Sequence, residues 1–277
     1  MNREKKIAYS GIPGAYAHIA SEKIFPEAEY VSFPSFGSVY EAVTKGECDH
    51  GVLPIENSFA GDVAQVMDLL YFGTLYIAGI YEMPIVHHLL GIPGTELAKI
   101  DKVLSHPQAL DQCREYIHKG GFVQHAATNT AVAAKEVSDR KDPTLAAIAS
   151  RETAEIYGLK ILDKKINEKD DNMTRFVVIS REKEALINKR EAFSLILTVK
   201  NEAGAFAKAI TTIGELGFNM RAIRSRPAKS LAWSYYFYIE GEGDLDGENG
   251  PRMLKELKDN CEVIRVLGNY PADIILS

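Results

Sequence analysis

The sequence has few cysteines and no long apolar run. Its three cysteines, Cys48, Cys113 and Cys261, are scattered over 277 residues and form no Cys-x-x-Cys pair. Isolated cysteines are typical of reduced thiols rather than of a disulfide framework. The most apolar stretch, IVHHLLGI at residues 85–92, contains two histidines and is too short to cross a bilayer. These scarcities argue against a disulfide-stabilised secreted domain and against a membrane-spanning protein.

Basic residues are also in short supply. Lysine and arginine number 32 against 38 acidic residues, which gives a formal net charge of -6. Because nucleic-acid-binding proteins usually carry a basic stripe, we expect no nucleic acid partner, and an anionic ligand would need a local positive site. The amino terminus, MNREKKIAYSG, has the charges of a signal peptide without its apolar core. We therefore expect a cytoplasmic protein that does not bind a membrane.

The familiar catalytic motifs are missing. The sequence contains no HExxH motif, no clustered cysteine and histidine ligands, no GxSxG elbow and no Walker loop. His87 and His88 would point in different directions on a strand, which makes them poor co-ligands for a metal. GIPGAY at residues 11–16 has only two glycines of a dinucleotide fingerprint. We expect no metal, no cofactor and no covalent nucleophile.

Between residue 5 and about 180, short apolar runs alternate with amphipathic helical stretches. This rhythm is typical of an α/β protein with a mostly parallel sheet and helices on both faces. The run YIAGIYEMPIVHHLLGI is too long for one strand, and we interpret it as a crossing between two lobes, whose cleft would suit a small ligand. The predicted strands are KIAYSG, EYVSF, HGVLPI, KVLSH, FVQHA, LAAIAS and TRFVVIS, and the predicted helices begin near Gly14, Phe36, Gly61, Pro107, Thr130 and Ser150.

A second folding unit follows a charged linker. We assign residues 1–182 to the two-lobed domain, 183–191 to the linker and 192–277 to the second unit. In that unit AFSLILTV, MRAIRSRP, WSYYFYIEGEG and CEVIRVLGNYP read as strands, and GAFAKAITTIGELG and PRMLKELKDN read as helices. The order βαββαβ predicts a ferredoxin-like fold.

Polar residues stand where several predicted strands end and a helix begins. Each could simply cap its helix, because Ser, Thr and Asn are preferred at that position. In an open parallel sheet, however, these ends lie along one edge, where helix amino termini favour anions. Together they indicate an anion site. The residues are Ser10, Gly11 and Gly14; Glu56, Asn57 and Ser58; Ser105, His106 and Gln108; and Thr128, Asn129 and Thr130.

The stretch DDNMTRFVVIS at residues 170–180 places Thr174 and Arg175 at the mouth of an apolar strand. A turn accounts for the first three residues, but a Thr-Arg pair at a strand edge needs solvent or an anionic partner. On a regular strand the two side chains would face opposite sides. Both could reach one ligand only if the strand begins at this point.

Four segments carry a resemblance to a known family. NMTRFVVIS, PIENSFAGDV, LSHPQALDQC and AAIASRETAEIYGLKIL together resemble prephenate dehydratase, and the second unit resembles the ACT regulatory domain of that family. The resemblance implies a periplasmic-binding-protein-like catalytic domain. Because no chorismate mutase segment precedes it, the chain resembles the monofunctional form.

The resemblance implies conversion of prephenate to phenylpyruvate, with loss of carbon dioxide and water, in phenylalanine biosynthesis. Prephenate is a dianion whose ring becomes aromatic when its carboxylate and hydroxyl leave together. No cofactor or nucleophile is then needed. Arogenate dehydratase, which performs the same chemistry on the amino acid analogue, stays an alternative. A two-lobed solute-binding protein is a further one.

The resemblance also implies roles for residues. Thr174 would donate a hydrogen bond to the departing oxygen, and Arg175 would pair with a substrate carboxylate. Glu56 would have a structural role rather than act as an acid, because an ionised carboxylate would repel a dianion. The remaining substrate contacts would be Asn57, Ser58, Thr128, Thr130 and Phe176, the last also suited to core packing, and His106 and Gln108 would support them.

In the second unit, NEAGAFAKAI and RSRP match segments that bind phenylalanine between two ACT domains in the family. The chain would then work as a homodimer or homotetramer. The family motif normally begins with Glu where this chain has Arg224, so we expect weaker phenylalanine binding and inhibition than with Glu at that position. The expected allosteric contacts are Gly204, Ala205, Phe206, Ala207, Asn219, Arg224, Ser225, Arg226 and Pro227.

Overall fold

Sixteen strands and nine α-helices make up the part of the chain that the computed structural model describes, residues 4–228 and 235–277. The strands are β1 (Lys6–Ser10), β2 (Glu29–Phe33), β3 (His50–Asn57), β4 (Gly61–Asp62), β5 (Tyr76–Pro84), β6 (His88–Gly91), β7 (Lys102–Ser105), β8 (Val123–Ala126), β9 (Leu145–Ala149), β10 (Lys160–Asp163), β11 (Met173–Ser180), β12 (Ala192–Val199), β13 (Asn219–Pro227), β14 (Tyr235–Glu242), β15 (Cys261–Tyr270) and β16 (Ile274–Ile275). The helices are α1 (Tyr16–Ile24), α2 (Phe36–Lys45), α3 (Ala64–Phe72), α4 (Pro107–Gln112), α5 (Arg114–Gly120), α6 (Thr130–Arg140), α7 (Arg151–Tyr157), α8 (Ala205–Glu215) and α9 (Asn249–Glu256).

Two mixed, mostly parallel sheets form the two lobes. The first has the order β16-β5-β11-β3-β1-β2, with β4 beside β3, and the second has the order β10-β6-β9-β7-β8. In the first sheet β11 runs antiparallel to both β3 and β5, and in the second β6 runs antiparallel to β9 and β10. The chain crosses between the lobes from β5 to β6 and returns from β10 to β11. The predicted two-lobed α/β fold is therefore confirmed, including the crossing in YIAGIYEMPIVHHLLGI.

Most predicted elements lie where the sequence places them. The helix expected near Gly61 begins at Ala64, because Gly61 and Asp62 pair with β3 as the short strand β4. Strand β10 was not anticipated, although it closes the edge of the second sheet beside β6. The predicted strand WSYYFYIEGEG is described only from Tyr235, since Trp233 and Ser234 lie outside the described residues. Within the described residues, no helix is long and apolar enough to span a bilayer.

The second unit is an antiparallel sheet of order β13-β14-β12-β15. Helices α8 and α9 pack on one face, where Ala209, Ile213 and Met253 are buried with the sheet residues Leu195 and Ile239. A central pair of strands flanked in this order, with two helices on one side, is the ferredoxin-like arrangement that the βαββαβ pattern predicts.

The opposite face of that sheet packs on the first lobe. Tyr236, Tyr238 and Tyr270 belong to the same buried cluster as Val177 and Ile179 of β11. The Tyr236 ring also stacks on Tyr71 of α3, with the ring centroids 3.9 Å apart and the planes 5° from parallel. Because this contact is apolar and continuous with the lobe's core, the second unit is docked on the lobe rather than tethered to it.

The carboxyl-terminal residues return to the first lobe. Ile274 and Ile275 pair in parallel with Tyr81 and Glu82 of β5, and the side chain of Leu276 is buried beside that sheet. These residues were assigned with the second unit from the sequence. In the structure they form the outer strand of the first lobe's sheet.

Gly268 allows β15 to lie directly against β5. A Cβ built on Gly268 would stand 2.1 Å from the backbone oxygen of Ile77. We expect Gly268→Ala to lower the free energy of unfolding by about 1–3 kcal/mol, because the backbones must separate. The measurement is urea unfolding followed by circular dichroism. Gly214→Ala is the control, since a Cβ there meets nothing within 4 Å and alanine should stabilise helix α8 by about 0.5–1 kcal/mol. Equal effects at the two glycines would contradict the close approach.

Candidate active site

A cavity of about 760 Å³ lies between the two lobes. Its walls come from the carboxyl ends of strands in both sheets and from the helix starts that follow them. Seven of the ten residues expected at a substrate site line this cavity, although they lie up to 119 positions apart in the chain. They are Asn57, His106, Gln108, Thr128, Thr130, Thr174 and Phe176.

The cavity wall formed by the first β-α turn needs a glycine. Gly11 follows β1 with a φ of 99°, a left-handed backbone that side chains other than glycine rarely adopt. A Cβ on Gly11 would stand 3.2 Å from Ala15 Cβ and 3.6 Å from Asn129 Nδ2. The two lobes therefore approach each other closely at this point.

The side chain of Asn57 holds the Thr174 hydroxyl in place. Asn57 Nδ2 donates to Thr174 Oγ1 at 3.0 Å and to Asn172 Oδ1 at 2.9 Å. Asn57 Oδ1 accepts from the backbone nitrogens of Phe59 and Ala60, both at 3.0 Å. These bonds fix which end of the amide faces Thr174, so Thr174 Oγ1 is an acceptor toward the protein.

The proton of the Thr174 hydroxyl is consequently available to a ligand. The residue is 8% exposed, and it lines the cavity. No described residue accepts a hydrogen bond from it. A hydroxyl that is held by one donor and still has its own proton is a placed hydrogen-bond donor, which can stabilise negative charge developing on an oxygen.

Hydrogen bonds join the two lobes across the cavity. Gln108 at the start of α4 donates from Nε2 to Asn57 Oδ1 at 2.8 Å. Gln112 at the end of the same helix accepts from Asn172 Nδ2 at 2.9 Å and lies 3.0 Å from His87 Nε2. The carboxamide chain therefore links Thr174 in one lobe to a buried histidine at the crossing between the lobes.

Burial keeps His87 neutral. The side chain is 2% exposed, and desolvation lowers its pKa from 6.5 to about 4, although a hydrogen bond with Gln112 opposes that shift. Gln112 Oε1 can only accept, so the neutral ring donates from Nε2, and Nδ1 can accept from the Tyr16 hydroxyl 3.1 Å away. Burial also lowers the pKa of His106, whose Nδ1 accepts from the Gln108 backbone as the cap of α4.

Among the described residues that line the cavity, there is no lysine or arginine, and Asp62 is the only acid. Positive potential comes instead from helix amino termini. Ser35 and Asn129 cap α2 and α6 with hydrogen bonds from Ser38 and Val132, and both capping residues line the cavity. At Asn129, which was predicted from the sequence at such a strand end, capping and a position on the cavity wall therefore coincide, whereas Ser35 was not anticipated.

The structure corrects the position of Arg175. Along β11 the side chains alternate, so Thr174 and Phe176 face the cavity and Arg175 faces the second unit. Arg175 donates to Glu56 Oε2 at 3.0 Å and to Glu240 Oε2 at 2.7 Å. Burial opposes the charge, yet these carboxylates raise the pKa of Arg175 above its ordinary value. It is not placed to contact a ligand in the cavity.

Ser58 and Glu56 also lie outside the cavity. The Ser58 hydroxyl donates to the Asp171 backbone oxygen at 3.2 Å and accepts from the Met173 backbone nitrogen at 3.0 Å. It therefore ties β3 to the turn before β11. Burial would raise the pKa of Glu56, but hydrogen bonds from Arg175 and the charge of Arg224 hold it below its usual value. A carboxylate held ionised in this way suits the structural role expected for Glu56.

The residues expected to bind phenylalanine are divided between two faces and two ends of the second unit. Phe206 at the start of α8 stacks on Phe237, with centroids 4.0 Å apart, and Phe237 pairs with Ser225. Asn219 lies at the opposite end of β13, where it donates to Glu242 at 2.9 Å. Gly204, Ala205, Phe206, Ala207, Ser225 and Pro227 can therefore share one end of the unit, whereas Asn219 lies at the other end of β13 in the same chain.

Arg224 and Arg226 face the first lobe. Arg226 Nε donates to Asp68 Oδ1 at 2.8 Å, and Arg224 Nη2 lies 2.7 Å from Glu56 Oε2. They lie on the face of β13 that carries Tyr236 and Tyr238, whereas Phe237 lies on the helix face. This corrects the expectation that both arginines contact phenylalanine.

Several wall residues were not anticipated. Tyr16, Phe36, His87 and Gln112 line the cavity, and Asn172 is buried behind it. His87 had been considered only as a metal ligand. The signal that could have found Tyr16 and Phe36 is their position at helix starts after β1 and β2, since an aromatic residue there faces the edge where ligands bind.

Fold and cavity define a two-lobed α/β protein with a cavity between its lobes, joined to a ferredoxin-like unit. More particularly, the chain belongs to the prephenate dehydratase family, because the family model described as prephenate dehydratase matches residues 7–184. The chain is 35% identical over 280 residues to arogenate dehydratase/prephenate dehydratase 2, chloroplastic, of Arabidopsis thaliana, covering 97% of this chain and 73% of that protein.

Two solved structures are similar over nearly the whole chain. One is prephenate dehydratase from Arthrobacter aurescens in complex with L-Phe, with a TM-score of 0.88 and 26% identity over 96% of this chain and 89% of that one. The other is GqqA, described as a novel type of quorum quenching acylase, with a TM-score of 0.89 and 32% identity over 97% of this chain and 98% of that one.

The buried His87 predicts a loss of stability in mild acid. Its pKa is about 4 in the folded protein and about 6.5 unfolded, so the unfolded state binds the extra proton first as the pH falls. The full stability is present above pH 6.5, and about 3 kcal/mol should be lost between pH 6.5 and about 4. We expect His87→Gln to flatten this part of the urea-unfolding profile. The control is His125→Gln on the exposed strand β8, and a wild-type slope in His87→Gln would contradict the assignment.

Proposed function

We propose that this protein is a prephenate dehydratase that releases carbon dioxide and water from prephenate to give phenylpyruvate. The observation that carries the proposal is the state of the Thr174 hydroxyl. Its oxygen accepts a hydrogen bond from Asn57, and its proton is free to be donated to a ligand in the cavity. A dehydratase must assist the departure of an oxygen, and this group is a placed donor for that oxygen.

The chemistry needs little beyond placement and charge. The bond between the ring and its carboxylate breaks, its electron pair enters the ring, and the bond to the allylic hydroxyl breaks as the ring becomes aromatic. The hydroxide gains a proton from solvent and leaves as water. A threonine hydroxyl is too weak an acid to supply that proton outright, so Thr174 would act by hydrogen bonding to the departing oxygen.

The described lining of the cavity has no cationic side chain, so the substrate carboxylates would be held by other groups. Thr128 and Thr130 contribute hydroxyls beside the amino terminus of α6, and α2 offers a second helix start across the cavity. Backbone N–H groups and helix dipoles suit carboxylates. Phe176 and Phe36 supply flat apolar wall for the ring. Phe176 is at the same time 1% exposed, so it serves the core and the cavity together.

One incubation series separates the candidate activities. Purified protein is supplied with prephenate or arogenate, and phenylpyruvate and phenylalanine are assayed. Phenylpyruvate from prephenate supports the proposal, whereas phenylalanine from arogenate alone would identify an arogenate dehydratase. Tight binding without turnover would identify a solute-binding protein. An acyl-homoserine lactone arm tests the activity described for GqqA.

Thr174→Val should fold normally and lower kcat by about 10²–10³ with prephenate, because one preorganised donor is removed. Thr198→Val is a matched control. It makes the same substitution in β12, at a buried hydroxyl that has no hydrogen-bond partner among the described residues, so turnover should be unchanged. Steady-state kinetics and circular dichroism melts are measured for both variants. Near wild-type turnover in a folded Thr174→Val protein would remove Thr174 from the chemistry.

We propose that the ferredoxin-like unit is an ACT domain that binds L-phenylalanine and inhibits the enzyme. The Arthrobacter aurescens structure contains L-Phe. In this chain the start of α8, together with Ser225 and Pro227, forms the end of the unit where such a ligand would lie between two copies. We accordingly propose a homodimer or homotetramer.

We also propose that the protein is cytoplasmic. The three cysteines are buried and free, which suits a reducing cytoplasm.

Gly204 tests this proposal. Its φ of 81° places it in the left-handed region, so Gly204→Val should distort the start of α8 and weaken L-phenylalanine inhibition about tenfold or more. Gly217→Val is the control, because Gly217 has a φ of 87° at the other end of the same helix. Inhibition curves and calorimetry with L-phenylalanine are the measurements. Absence of L-phenylalanine binding to the wild-type protein would show that the unit senses something else.

A further inference from the structure

Six charged side chains meet between the first lobe and the second unit, and one of them, Asp62, also lines the cavity. Two guanidiniums, those of Arg175 and Arg224, lie among the carboxylates of Glu56, Asp62, Glu82 and Glu240. We call these six residues the charge cluster. Its carboxylates outnumber its guanidiniums, so each arginine matters to the net charge that a ligand in the cavity experiences.

Arg224 holds the two ends of a cavity-wall hairpin together. Glu56 of β3 and Asp62 of β4 are register partners in an antiparallel pair, where like charges directly opposite each other are destabilising. Arg224 Nη2 lies 2.7 Å from Glu56 Oε2, and Arg224 Nε donates to Asp62. Its side chain is 12% exposed, so solvent screens the contacts only partly.

The hairpin carries cavity residues at both ends. Asn57, which orients Thr174, lies on β3, and Gly61 and Asp62 lie on β4. Asp62 is the only acid among the described lining residues. An arginine from the second unit is therefore paired with the one acidic side chain among the described lining residues.

We propose that Arg224 is a specificity-determining residue that makes the cavity tolerate the dianion prephenate in preference to arogenate. This inference rests on the proposed function. Prephenate carries two negative charges, whereas arogenate carries the same carboxylates and an ammonium group. A wall with one more uncompensated negative charge therefore disfavours prephenate more than arogenate, whatever the orientation of the substrate.

The experiment compares the two substrates in Arg224→Gln. The measured quantity is kcat/KM for prephenate divided by kcat/KM for arogenate, and an inhibition constant replaces kcat/KM for a substrate that is not turned over. We expect the ratio to fall about tenfold, the effect of one unit charge acting across a partly screened cavity. A loss of packing or alignment would lower both values alike and leave the ratio unchanged.

Arg226→Gln is the matched control. Arg226 lies two residues away on the same face of β13 and also pairs with the first lobe, through Asp68, which does not line the cavity. The same substitution there breaks a comparable contact without changing the wall, so the ratio should stay at its wild-type value. In Arg224→Gln/Asp62→Asn the ratio should return toward wild type, because the uncompensated carboxylate is gone.

The outcomes separate the two proposals. Wild-type protein that converts neither substrate defeats the proposed function, whereas conversion with an unchanged ratio in folded Arg224→Gln overturns the role of Arg224 alone. Should Arg224→Gln fail to fold, Asp62→Asn replaces it. That variant removes a negative charge and should raise the ratio, and a fall or no change would overturn the inference.

Discussion

Alternation along β11 is the constraint on which the rest of this structure depends. Thr174 and Phe176 point into the cavity and Arg175, between them, points into the charge cluster. The pairing of β11 with β3 shifts register between Arg175 and Phe176, where the partner is Pro54, a residue that cannot donate to the ladder. Strand β11 thus carries the candidate catalytic Thr174 on one face and Arg175, which contacts the second unit, on the other.

Because the second unit is docked on the first lobe, its contact with β11 can transmit a movement of the second unit to the cavity. The shared tyrosine cluster and the close approach at Gly268 leave little room for the unit to move independently. A ligand that bends β13 or its neighbours would therefore displace Arg224, and with it the hairpin that carries Asn57. Coupling between two sites requires such an element with contacts to both. The contacts of Arg224 connect the segment proposed to sense phenylalanine with the wall of the cavity.

Local patterns predicted the elements, and long-range contacts decided the rest. The periodicity of β1, β3 and β11 predicted those strands, and the polar strand ends predicted several residues that line the cavity, because a strand end followed by a helix start is a local signal. The prediction for Arg175 was wrong because it relied on its position next to Thr174 in the motif. Successive side chains on a strand point to opposite faces, so neighbours in the sequence do not face the same ligand. One partner of Arg224, Asp62, lies 162 positions away, and β16 pairs the carboxyl-terminal residues with β5 in the first third of the chain. No local pattern encodes either contact.

If the ligand is the dianion proposed above, a cavity whose described lining has no cationic side chain has to place its positive potential in the backbone. Helix termini and N–H groups are fixed by the fold, so they need no reorganisation during the reaction, but they are weaker than a bidentate arginine. Charges just outside the wall then affect ligand binding more than they would in a site where an arginine pairs with the ligand carboxylate. The reason is that the low dielectric of the protein screens these charges only weakly. The arginines of the charge cluster occupy this position. They do not line the cavity, yet they contribute to the field in which the helix termini act, and one of them is supplied by the second unit. Substrate charge and regulation would then depend on the same side chain.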